Sequence, residues 1–350
     1  MPPRSAPRAR PRPELLVAWR PYPVSHITYR GVVAERLADL AEEWLNARAT
    51  SGGRTISSNT IDAYRRDLNV WINLLTSEVG EDPTTEALDP VEVTAALSRM
   101  MTERKDANAT RRRAFVTMSN FCNWLILHNK LDKNPLLGLN PPKQGQKLPV
   151  AFADEDVAKL LEVASKEDPT AKHPAPALDL AILILLGAAG LRASEAITIS
   201  YRDYRSGEEP LLHVTGKGGK QRVVPLDPAA AQVLDDYLAW RSQVVPEGAS
   251  PSYPFLVKPD GQPLTRYVLD YRVRKLYARA GVTSPKGAAS HALRHTFAIS
   301  SLNGGAAVNE IQDLLGHESM ATTGLYLRAS AAHLRSAASA SAATRLLKRR

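Results

Sequence analysis

The sequence predicts a mainly α protein with two domains: a helical bundle, followed by a mixed but mostly helical domain with a small antiparallel β-hairpin. Apolar residues recur at helical spacing on both sides of residues 140–149, the predicted linker, which has three prolines, one glycine and no periodicity. Two short apolar runs flank a glycine-rich turn near residue 217 and give the one clear β signal. A chain of 350 residues, 44% of them hydrophobic, is long enough to form two cores.

Residues 31–139 are predicted to form a compact bundle of four helices. The apolar positions follow the period of an α-helix in 33–45, 64–75 and 108–129. The remaining helix is predicted to begin at Pro90, because an aspartate that can cap its first turn comes directly before this proline.

The second domain is predicted to span residues 150–330. Its most clearly marked elements are helices at 154–165 and 175–187 and hairpin strands at 211–215 and 220–225. The longest apolar run, Leu180–Leu191, is about half as long as a bilayer requires, so it indicates a buried helix and no membrane partner.

Basic residues are concentrated at the two ends of the chain. The whole chain has 45 Lys and Arg against 36 Asp and Glu, a net charge of +9, which favours a polyanionic partner. Residues 1–30 hold six arginines, seven prolines and one glutamate, and they are predicted to be a disordered basic arm and not a signal peptide. Residues 331–350 hold five basic and no acidic residues and form a basic tail.

Cys122 is the one cysteine of the chain, so no internal disulfide can form. It lies near Phe121, Trp124 and Leu125 on the expected apolar face of a helix, which is typical of a packed and unreactive thiol. A protein without disulfides is expected to be cytoplasmic.

The C-terminal half carries side chains that together suit the cutting and rejoining of a phosphodiester. Guanidinium groups hold phosphates through paired donors, a lysine protonates a leaving oxygen, imidazoles move protons, and a phenol can become a covalent nucleophile. This chemistry requires neither a metal nor a cofactor, and none is predicted. The candidate catalytic residues are Arg192, Lys217, His291, Arg294, His317 and Tyr326.

Each candidate has an ordinary structural interpretation when it is taken alone. The turn 216–220 lacks the spacing of a nucleotide-phosphate loop, and such a turn is more often simply solvated. A tyrosine between two leucines, as at Tyr326, is usually a core residue. Glu195, one turn after Arg192, either orients that guanidinium or forms an ordinary surface pair. The order and spacing of the whole set carry the inference.

Local sequence also predicts how some candidates are presented. His291 and Arg294 are three residues apart, so a helix would place both on one face. Gly316 is expected to end a helix and to expose His317.

In the order and local sequence of these residues the chain resembles the tyrosine recombinase, or phage integrase, family, and in particular its Xer-like members, over about residues 31–330. The matching phrases are Gly190–Glu195, Val214–Leu226, His291–Phe297 and Leu314–Ser319, which runs on to Tyr326. In the N-terminal half, Thr60–Leu68 and Leu131–Pro135 resemble the family's core-binding domain and its exit. The bundle is then expected to be the SAM-like core-binding domain, and residues 150–330 the catalytic domain.

The resemblance implies a reaction. Tyr326 would attack the phosphorus, joining the protein to a DNA 3′-phosphate and freeing a 5′-hydroxyl. Arg192 and Arg294 would hold the non-bridging oxygens of that phosphate. Because the energy of the broken ester is kept in the new one, religation would need neither ATP nor a metal.

The resemblance also implies how protons move. A free phenol has a pKa of about 10, so a base must take its proton during attack. His291 is the better candidate for that base, with His317 hydrogen-bonded to the phosphate. Lys217 would enter the minor groove and protonate the leaving 5′-oxygen.

The implied partners are double-stranded DNA with specific recombination sites and further copies of the chain. The two domains would close as a clamp around the duplex, and a homotetramer would exchange strands through a Holliday junction. The tail 331–350 would either dock on a neighbouring protomer or remain a frayed basic tail, and an accessory protein or a second recombinase is compatible with the family. The basic residues predicted to contact DNA are Arg65, Arg66, Arg111, Arg112, Arg113, Lys143, Lys147, Lys220 and Arg222.

Two other functions share these features. A type IB topoisomerase uses a similar residue set to relax DNA, although the Xer-like phrases and the two-domain layout disfavour it. A DNA-binding regulator could keep the fold and lose activity, which the complete catalytic set disfavours. Within the family, integration of a mobile element and resolution of chromosome or plasmid dimers both stay open. The roughly 30 residues before the first helix are too few for the extra arm-binding domain of many phage integrases, which favours a simple Xer-like protein or a small integrase, but this Pro- and Arg-rich arm also differs from a minimal Xer protein.

Overall fold

The computed structural model describes residues 27–29, 32–50, 56–79, 82–104, 106–143, 151–284 and 289–316. The chain divides into two compact units, residues 1–145 and 146–350, and this division lies inside the predicted linker. Each unit has its own hydrophobic core. Most of the predicted arm and the whole of the predicted basic tail lie outside the described residues.

The first unit contains the four helices that the sequence predicts. They are α1 (Leu37–Thr50), α2 (Ser58–Val79), α3 (Pro90–Thr102) and α4 (Asn108–Leu127), with a 3₁₀ turn at Thr85–Leu88 before α3. Two antiparallel strands precede them, β1 (Ile27–Tyr29) and β2 (Val32–Ala34). The prediction of a disordered arm as far as residue 30 was therefore wrong for 27–29, because strands of three residues are too short to show a periodic pattern.

Capping fixes where α3 begins. The Asp89 carboxylate accepts a hydrogen bond from the Val91 backbone N–H at 2.7 Å, and Pro90 occupies the first turn, where an N–H has no helical partner. The start that the sequence predicts for this helix is confirmed.

Large side chains fill the core of the first unit. Trp44, Trp71 and Phe121 are buried, and the Trp71 indole N–H donates to the Ala114 carbonyl at 2.9 Å. Cys122 belongs to the same core, and burial raises the pKa of its thiol to about 12. The prediction of a packed, unreactive thiol is confirmed.

A buried carboxylate joins α2 to α4. Asp67 is 2% exposed and accepts two hydrogen bonds from the Arg113 guanidinium, both at 2.8 Å, and one from the Thr117 hydroxyl at 3.0 Å. A buried charge without partners is costly, so these three bonds favour one arrangement of the two helices over others.

The second unit is mostly helical and contains one small sheet, which confirms the predicted fold class. Its helices are α5 (Asp154–Ala164), α6 (Pro176–Gly187), α7 (Ala193–Thr198), α8 (Pro228–Arg241), α9 (Arg266–Ala280), α10 (Ala289–Asn303) and α11 (Val308–Leu315). Its strands are β3 (Tyr204–Arg205), β4 (Leu211–Thr215) and β5 (Gln221–Pro225), and short 3₁₀ turns lie at Tyr201–Asp203 and Lys217–Gly219.

The sheet is antiparallel with the order β3-β4-β5. Leu211 pairs with Pro225 and Thr215 with Gln221, so the predicted hairpin is confirmed. The third strand was not predicted, because β3 is two residues long and carries no recognisable alternation.

Helix α6 lies in the core of the second unit. Leu178, Ile182 and Leu185 are fully buried, and the helix packs against α5, α8, α9 and α10. Burial on several sides explains the long apolar run. The helix ends at Gly187, and the run continues into the turn that follows. None of the described helices combines the length and the apolar character needed to cross a membrane.

Replacing Asp67 with alanine is expected to lower the free energy of unfolding by about 2–4 kcal/mol, because Arg113 and the buried Thr117 hydroxyl lose their shared acceptor. Urea unfolding followed by tryptophan fluorescence measures this, since Trp44 and Trp71 lie in the same core. The control is Arg65→Ala, which breaks a partly exposed pair with Glu42 that is expected to contribute about 0–1 kcal/mol. Equal losses in the two variants would contradict the structural role of Asp67.

Candidate active site

The turn after α6 brings Arg192 to the start of α7. Gly190 has a φ of +64°, and a Cβ at this position would lie 2.5 Å from the Phe297 ring on α10. Glycine is therefore required both by the backbone conformation and by the lack of space. Arg192 follows in an extended conformation, directly before the first residue of α7.

Arg294 connects three segments from its position on α10. Its side chain is 3% exposed, and its two terminal nitrogens donate to the carbonyl oxygens of Gly190 and Leu315, each at 2.6 Å. These bonds join α10 to the turn before α7 and to the last residue of α11. The guanidinium is thus held in place by backbone that belongs to two other elements.

Arg192 also contacts the C-terminal end of α11, and its side chain is more exposed than that of Arg294. Its side chain is 31% exposed, and its terminal nitrogens lie 3.4 Å from the Leu315 carbonyl oxygen and 3.3 Å from that of Gly316. Because Leu315 accepts from both arginines, their guanidiniums are neighbours. Two adjacent guanidiniums provide the donors and the positive charge that a phosphate requires.

Glu195 is the carboxylate around which the arginines gather, and it is 4% exposed. Arg192 donates to it from the backbone N–H at 2.8 Å and from the side chain at 2.7 Å, and Arg294 Nη1 lies 3.5 Å away. Burial acts to raise the pKa of Glu195, but hydrogen bonds from Arg222 and Arg192 lower it to about 2. The sequence left two alternatives for Glu195, to orient Arg192 or to form an ordinary surface pair with it. Because Glu195 is buried and bonds to Arg192 twice, it orients Arg192, and the surface pair is excluded.

His291 lies on α10 with Arg294, as the sequence predicts. Desolvation and then three nearby arginines lower the pKa of its imidazole below the ordinary value of 6.5, while Asp270 acts in the opposite direction. The ring is therefore mostly neutral at pH 7 and able to accept a proton.

His295 is a neighbour of the site that sequence reasoning missed. Its ring lies 5.5 Å from that of His291, at an angle of 86°. Burial, and then the proximity of His291 and Arg294, lowers the pKa of His295 to about 4. The available signal was its position, four residues after His291 and therefore on the same side of a helix.

A second cluster that the sequence did not indicate lies between α9 and α10. The Ser290 hydroxyl donates to Asp270 Oδ1 at 2.7 Å, and Arg266 Nε donates to Asp270 Oδ2 at 2.8 Å. Arg266 lowers the pKa of the neighbouring His291 and Asp270 raises it. The pair therefore contributes to the electrostatic environment of the candidate base.

The hairpin tip places the backbone of Lys217 in a tight turn, while its side chain lies outside the described part of the structure. Gly218 and Gly219 have φ values of +74° and +78°, and the Gly216 N–H donates to the Lys220 carbonyl at 2.7 Å. A Cβ on Gly216 would lie 3.6 Å from Glu195 Oε1, so the base of the tip is beside the arginines. The catalytic role of Lys217 stays a prediction.

His317 and Tyr326 lie outside the described residues, and their roles also stay predictions. The structure does describe the approach to them. Gly316, with a φ of +61°, ends α11, which confirms the predicted helix end. Its carbonyl accepts from Arg192, so the last described residue of this segment lies beside the arginine pair.

Four arginines predicted to contact DNA form bonds inside the first unit. The pairs are Arg65 with Glu42, Arg113 with Asp67, Arg111 with the Arg104 carbonyl and Arg112 with the Pro142 carbonyl. Arg66 and Lys143 are exposed, and Lys147 lies outside the described residues. Contacts of this group with DNA remain predictions.

Arg222 is placed differently from the sequence prediction. Lys220 and Arg222 were both expected to face the DNA backbone, and Lys220 is indeed exposed. The Arg222 side chain is only 12% exposed and binds Glu195 and the Leu314 carbonyl. The expectation of a solvent-facing Arg222 was wrong because Glu195, 27 residues earlier in the chain, supplies a buried partner.

A cavity of about 520 Å³ lies between the loop at 168–175 and α9, and it shares no lining residue with the arginine cluster. Two ion pairs lie in its walls, Lys275 with Asp168 and Arg272 with Asp179, each at 2.6 Å. Within the described ranges, no group of three or more His, Cys, Asp and Glu side chains is arranged to hold a metal ion.

Comparison with known proteins identifies relatives along most of the chain. The Phage integrase family matches residues 151–333, and the Phage integrase N-terminal SAM-like domain matches residues 47–129. The tyrosine recombinase XerC of Rhizobium meliloti is 33% identical over 313 residues, which cover 87% of this chain and 91% of the relative. XerD of Listeria innocua is 30% identical over 294 residues, which cover 82% and 93%.

Solved structures show the same fold. The XerH recombinase bound to palindromic difH in a post-cleavage complex superposes with a TM-score of 0.67 at 21% identity, covering 87% of this chain and 84% of that one. A lambda integrase tetramer bound to a Holliday junction gives 0.64 at 18% identity, covering 84% and 77%. Fold and relatives together define the class as enzymes that break and rejoin DNA strands. The chain belongs to the phage integrase family and is a tyrosine recombinase.

The pKa of His291 is expected to lie below 6.5 and that of His295 near 4 when both are followed by NMR in the protein labelled at its histidines. Arg266→Ala should raise the pKa of His291, because it removes a positive charge that disfavours the imidazolium. The same substitution at Arg205, which lies on β3, is the control and should leave the His291 titration unchanged. A His291 pKa at or above 6.5 in the wild type would refute the neutral-base assignment.

Proposed function

We propose that this chain is a site-specific DNA recombinase that works through a 3′-phosphotyrosyl intermediate and a Holliday junction. The observation that carries the proposal is the convergence of Arg192 and Arg294 on the Leu315 carbonyl. A phosphate bound by both guanidiniums would lie at the point where the chain leaves α11 for His317 and Tyr326. The similarity to XerC and XerD supports the same reaction.

The arginine pair stabilises the charge that develops on the phosphate. In the proposed step the Tyr326 oxygen forms a bond to phosphorus, the bond to the 5′-oxygen breaks, and negative charge grows on the non-bridging oxygens. Arg294 is held by two carbonyls and Arg192 by Glu195, so their donors are in place before the reaction begins. Donors that need no reorganisation are the most effective ones. Attack by the 5′-hydroxyl of another strand reverses the chemistry and completes the exchange.

Two proton transfers accompany this step. The neutral imidazole of His291 takes the proton of the Tyr326 phenol, and His317 donates a hydrogen bond to the phosphate. Lys217, on the hairpin tip next to the arginine cluster, protonates the leaving 5′-oxygen. The flexible backbone of its glycine-rich turn suits a residue that must follow a moving strand.

Duplex DNA and further copies of the chain are the proposed partners. The first unit serves as the core-binding domain and the second as the catalytic domain, with residues 140–149 as the linker between them. Exposed Arg66, Lys143 and Lys220 contact the phosphate backbone. Four protomers hold two specific sites, as the lambda integrase tetramer holds a Holliday junction. The reaction takes place in the cytoplasm.

Tyr326→Phe is expected to abolish covalent attachment to DNA, because phenylalanine has no oxygen to attack phosphorus. A nicked suicide substrate carrying sequence from around the gene's own locus traps the adduct, which is seen as a shifted band on a denaturing gel. The band should form with wild type in the presence of EDTA. The control is Tyr267→Phe, which removes the hydroxyl of an exposed tyrosine on α9.

Two outcomes of this assay, and one of a separate plasmid relaxation assay, would change the assignment. A band that persists in Tyr326→Phe would mean that another residue is the nucleophile. Relaxation of plasmids without paired specific sites would indicate a topoisomerase. Tight DNA binding by wild type with no adduct on a broad panel of sites would indicate a silent regulator.

Arg192→Ala and Arg294→Ala are each expected to slow cleavage by about 10²–10³-fold, the effect of losing one charge-stabilising donor. Their effects on stability should differ. Arg294 is buried and joins Gly190 to Leu315, so its loss should also lower Tm by several degrees, whereas loss of the more exposed Arg192 should lower it less. Single-turnover cleavage and thermal unfolding of the same samples measure both quantities. Equal Tm losses would contradict the structural difference between the two arginines.

A further inference from the structure

Arg222 has contacts that the proposed mechanism does not use. It lies on β5, paired with Val214 on β4, in the hairpin whose tip carries Lys217. Its Nη1 and Nη2 donate to the two carboxylate oxygens of Glu195 at 3.1 and 2.9 Å. Such a two-pronged bond fixes direction as well as charge, which a lysine cannot do.

The third contact of Arg222 is with the end of α11. Its Nε donates to the Leu314 carbonyl at 2.8 Å, and a Cβ on Gly316 would lie 3.1 Å from its Nη1. The guanidinium therefore packs against the backbone of residues 314–316. The next two carbonyls of this segment, on Leu315 and Gly316, are the ones that accept from Arg192 and Arg294.

The charges around Glu195 suggest what the contacts of Arg222 do. One buried carboxylate faces three guanidiniums, and the Arg222 guanidinium engages both of its oxygens. Without Arg222, the carboxylate would be balanced by Arg192 and Arg294. Those two guanidiniums would then be drawn toward Glu195 and less available to a phosphate, since a buried charge demands a close partner.

We infer that Arg222 is a positioning residue of the active site: it neutralises Glu195 and fixes the end of α11, so that Arg192 and Arg294 stay directed at the phosphate. It does this without contacting DNA. The same bonds link the hairpin of Lys217 to the segment that leads to His317, so the two move together. This inference rests on the proposed function, because it assigns the two arginines to phosphate binding.

The test compares Arg222→Ala, Arg222→Lys and the double variant Arg222→Ala/Glu195→Gln with wild type. Arg205→Ala is the matched control, an arginine on the same sheet that is 57% exposed and bonds to the Glu209 carbonyl. Glu195→Gln alone completes the set. Three quantities are measured on each protein: the slope of log DNA affinity against log salt concentration, the single-turnover rate of adduct formation on the nicked substrate, and Tm.

Arg222→Ala is expected to slow adduct formation by about 10- to 100-fold, by analogy with the loss seen when a residue that orients a metal ligand is removed. The salt slope should stay at the wild-type value, because a lost phosphate contact would reduce it by about 0.9. Arg222→Lys should recover part of the rate, since it restores charge without the paired bond. In the double variant the neutral amide that replaces the Glu195 carboxylate needs no counter-charge, so the combined loss should be smaller than the product of the two single losses.

Three results would overturn the inference. A reduced salt slope with a normal rate would make Arg222 a DNA contact. A lower Tm with a normal rate per folded molecule would make it a purely structural residue. Multiplicative losses in the double variant would separate Arg222 from Glu195. If wild type itself forms no adduct, the proposed function fails, while the salt slope, which needs no cleavage, still decides whether Arg222 contacts DNA.

Discussion

The ion pairs of the buried Glu195 carboxylate are the interaction on which the arginine cluster of the second unit depends. Three guanidiniums from α10, from β5 and from the turn before α7 would repel one another if nothing lay between them. One carboxylate, kept ionised by hydrogen bonds from Arg222 and Arg192, lets all three guanidiniums occupy a small volume. The carbonyls of Leu314, Leu315 and Gly316 complete the arrangement by accepting one or more bonds from each arginine. A positive site is thereby built from elements that are far apart in sequence.

Many features of the fold and of the candidate site could be predicted because they depend on residues that are close together in the sequence. The start of α3 follows from Asp89 and Pro90, and the hairpin follows from two apolar runs around a glycine-rich tip. The order, the spacing and the local sequence of the candidate catalytic residues were enough to indicate the family. What could not be predicted depends on tertiary contact: nothing near residue 222 shows that its partner is a carboxylate 27 residues earlier, and a basic residue on a hairpin is ordinarily exposed. β3 was missed because two residues carry no period.

The basic run at the start of α4 also shows that local sequence does not reveal which tertiary partner a basic residue has. Arg111, Arg112 and Arg113 are consecutive, so a helix turns them about 100° apart and a shared surface cannot be assumed. Arg113 bonds to Asp67 in the core and Arg111 to the Arg104 carbonyl, so both hold the bundle together. A run of basic residues in a sequence thus contains some that stabilise the fold and others that are available to a polyanion. The two kinds are distinguished by whether the structure gives the side chain a partner inside the fold.

The unequal exposure of the two central arginines follows from how each is held. Arg294 donates at 2.6 Å to two backbone carbonyls, which cannot move without displacing α11 or the turn at Gly190, and its side chain is 3% exposed. Arg192 is held most closely by a side chain, Glu195 at 2.7 Å, with longer bonds of 3.4 and 3.3 Å to the Leu315 and Gly316 carbonyls, and it is 31% exposed. In the proposed reaction, a phosphate entering the site meets Arg192 at the surface and Arg294 behind it. Both arginines share the Leu315 carbonyl, one residue before the described chain ends. Under the proposed function, phosphate binding and placement of the nucleophile would therefore be coupled through one short stretch of backbone.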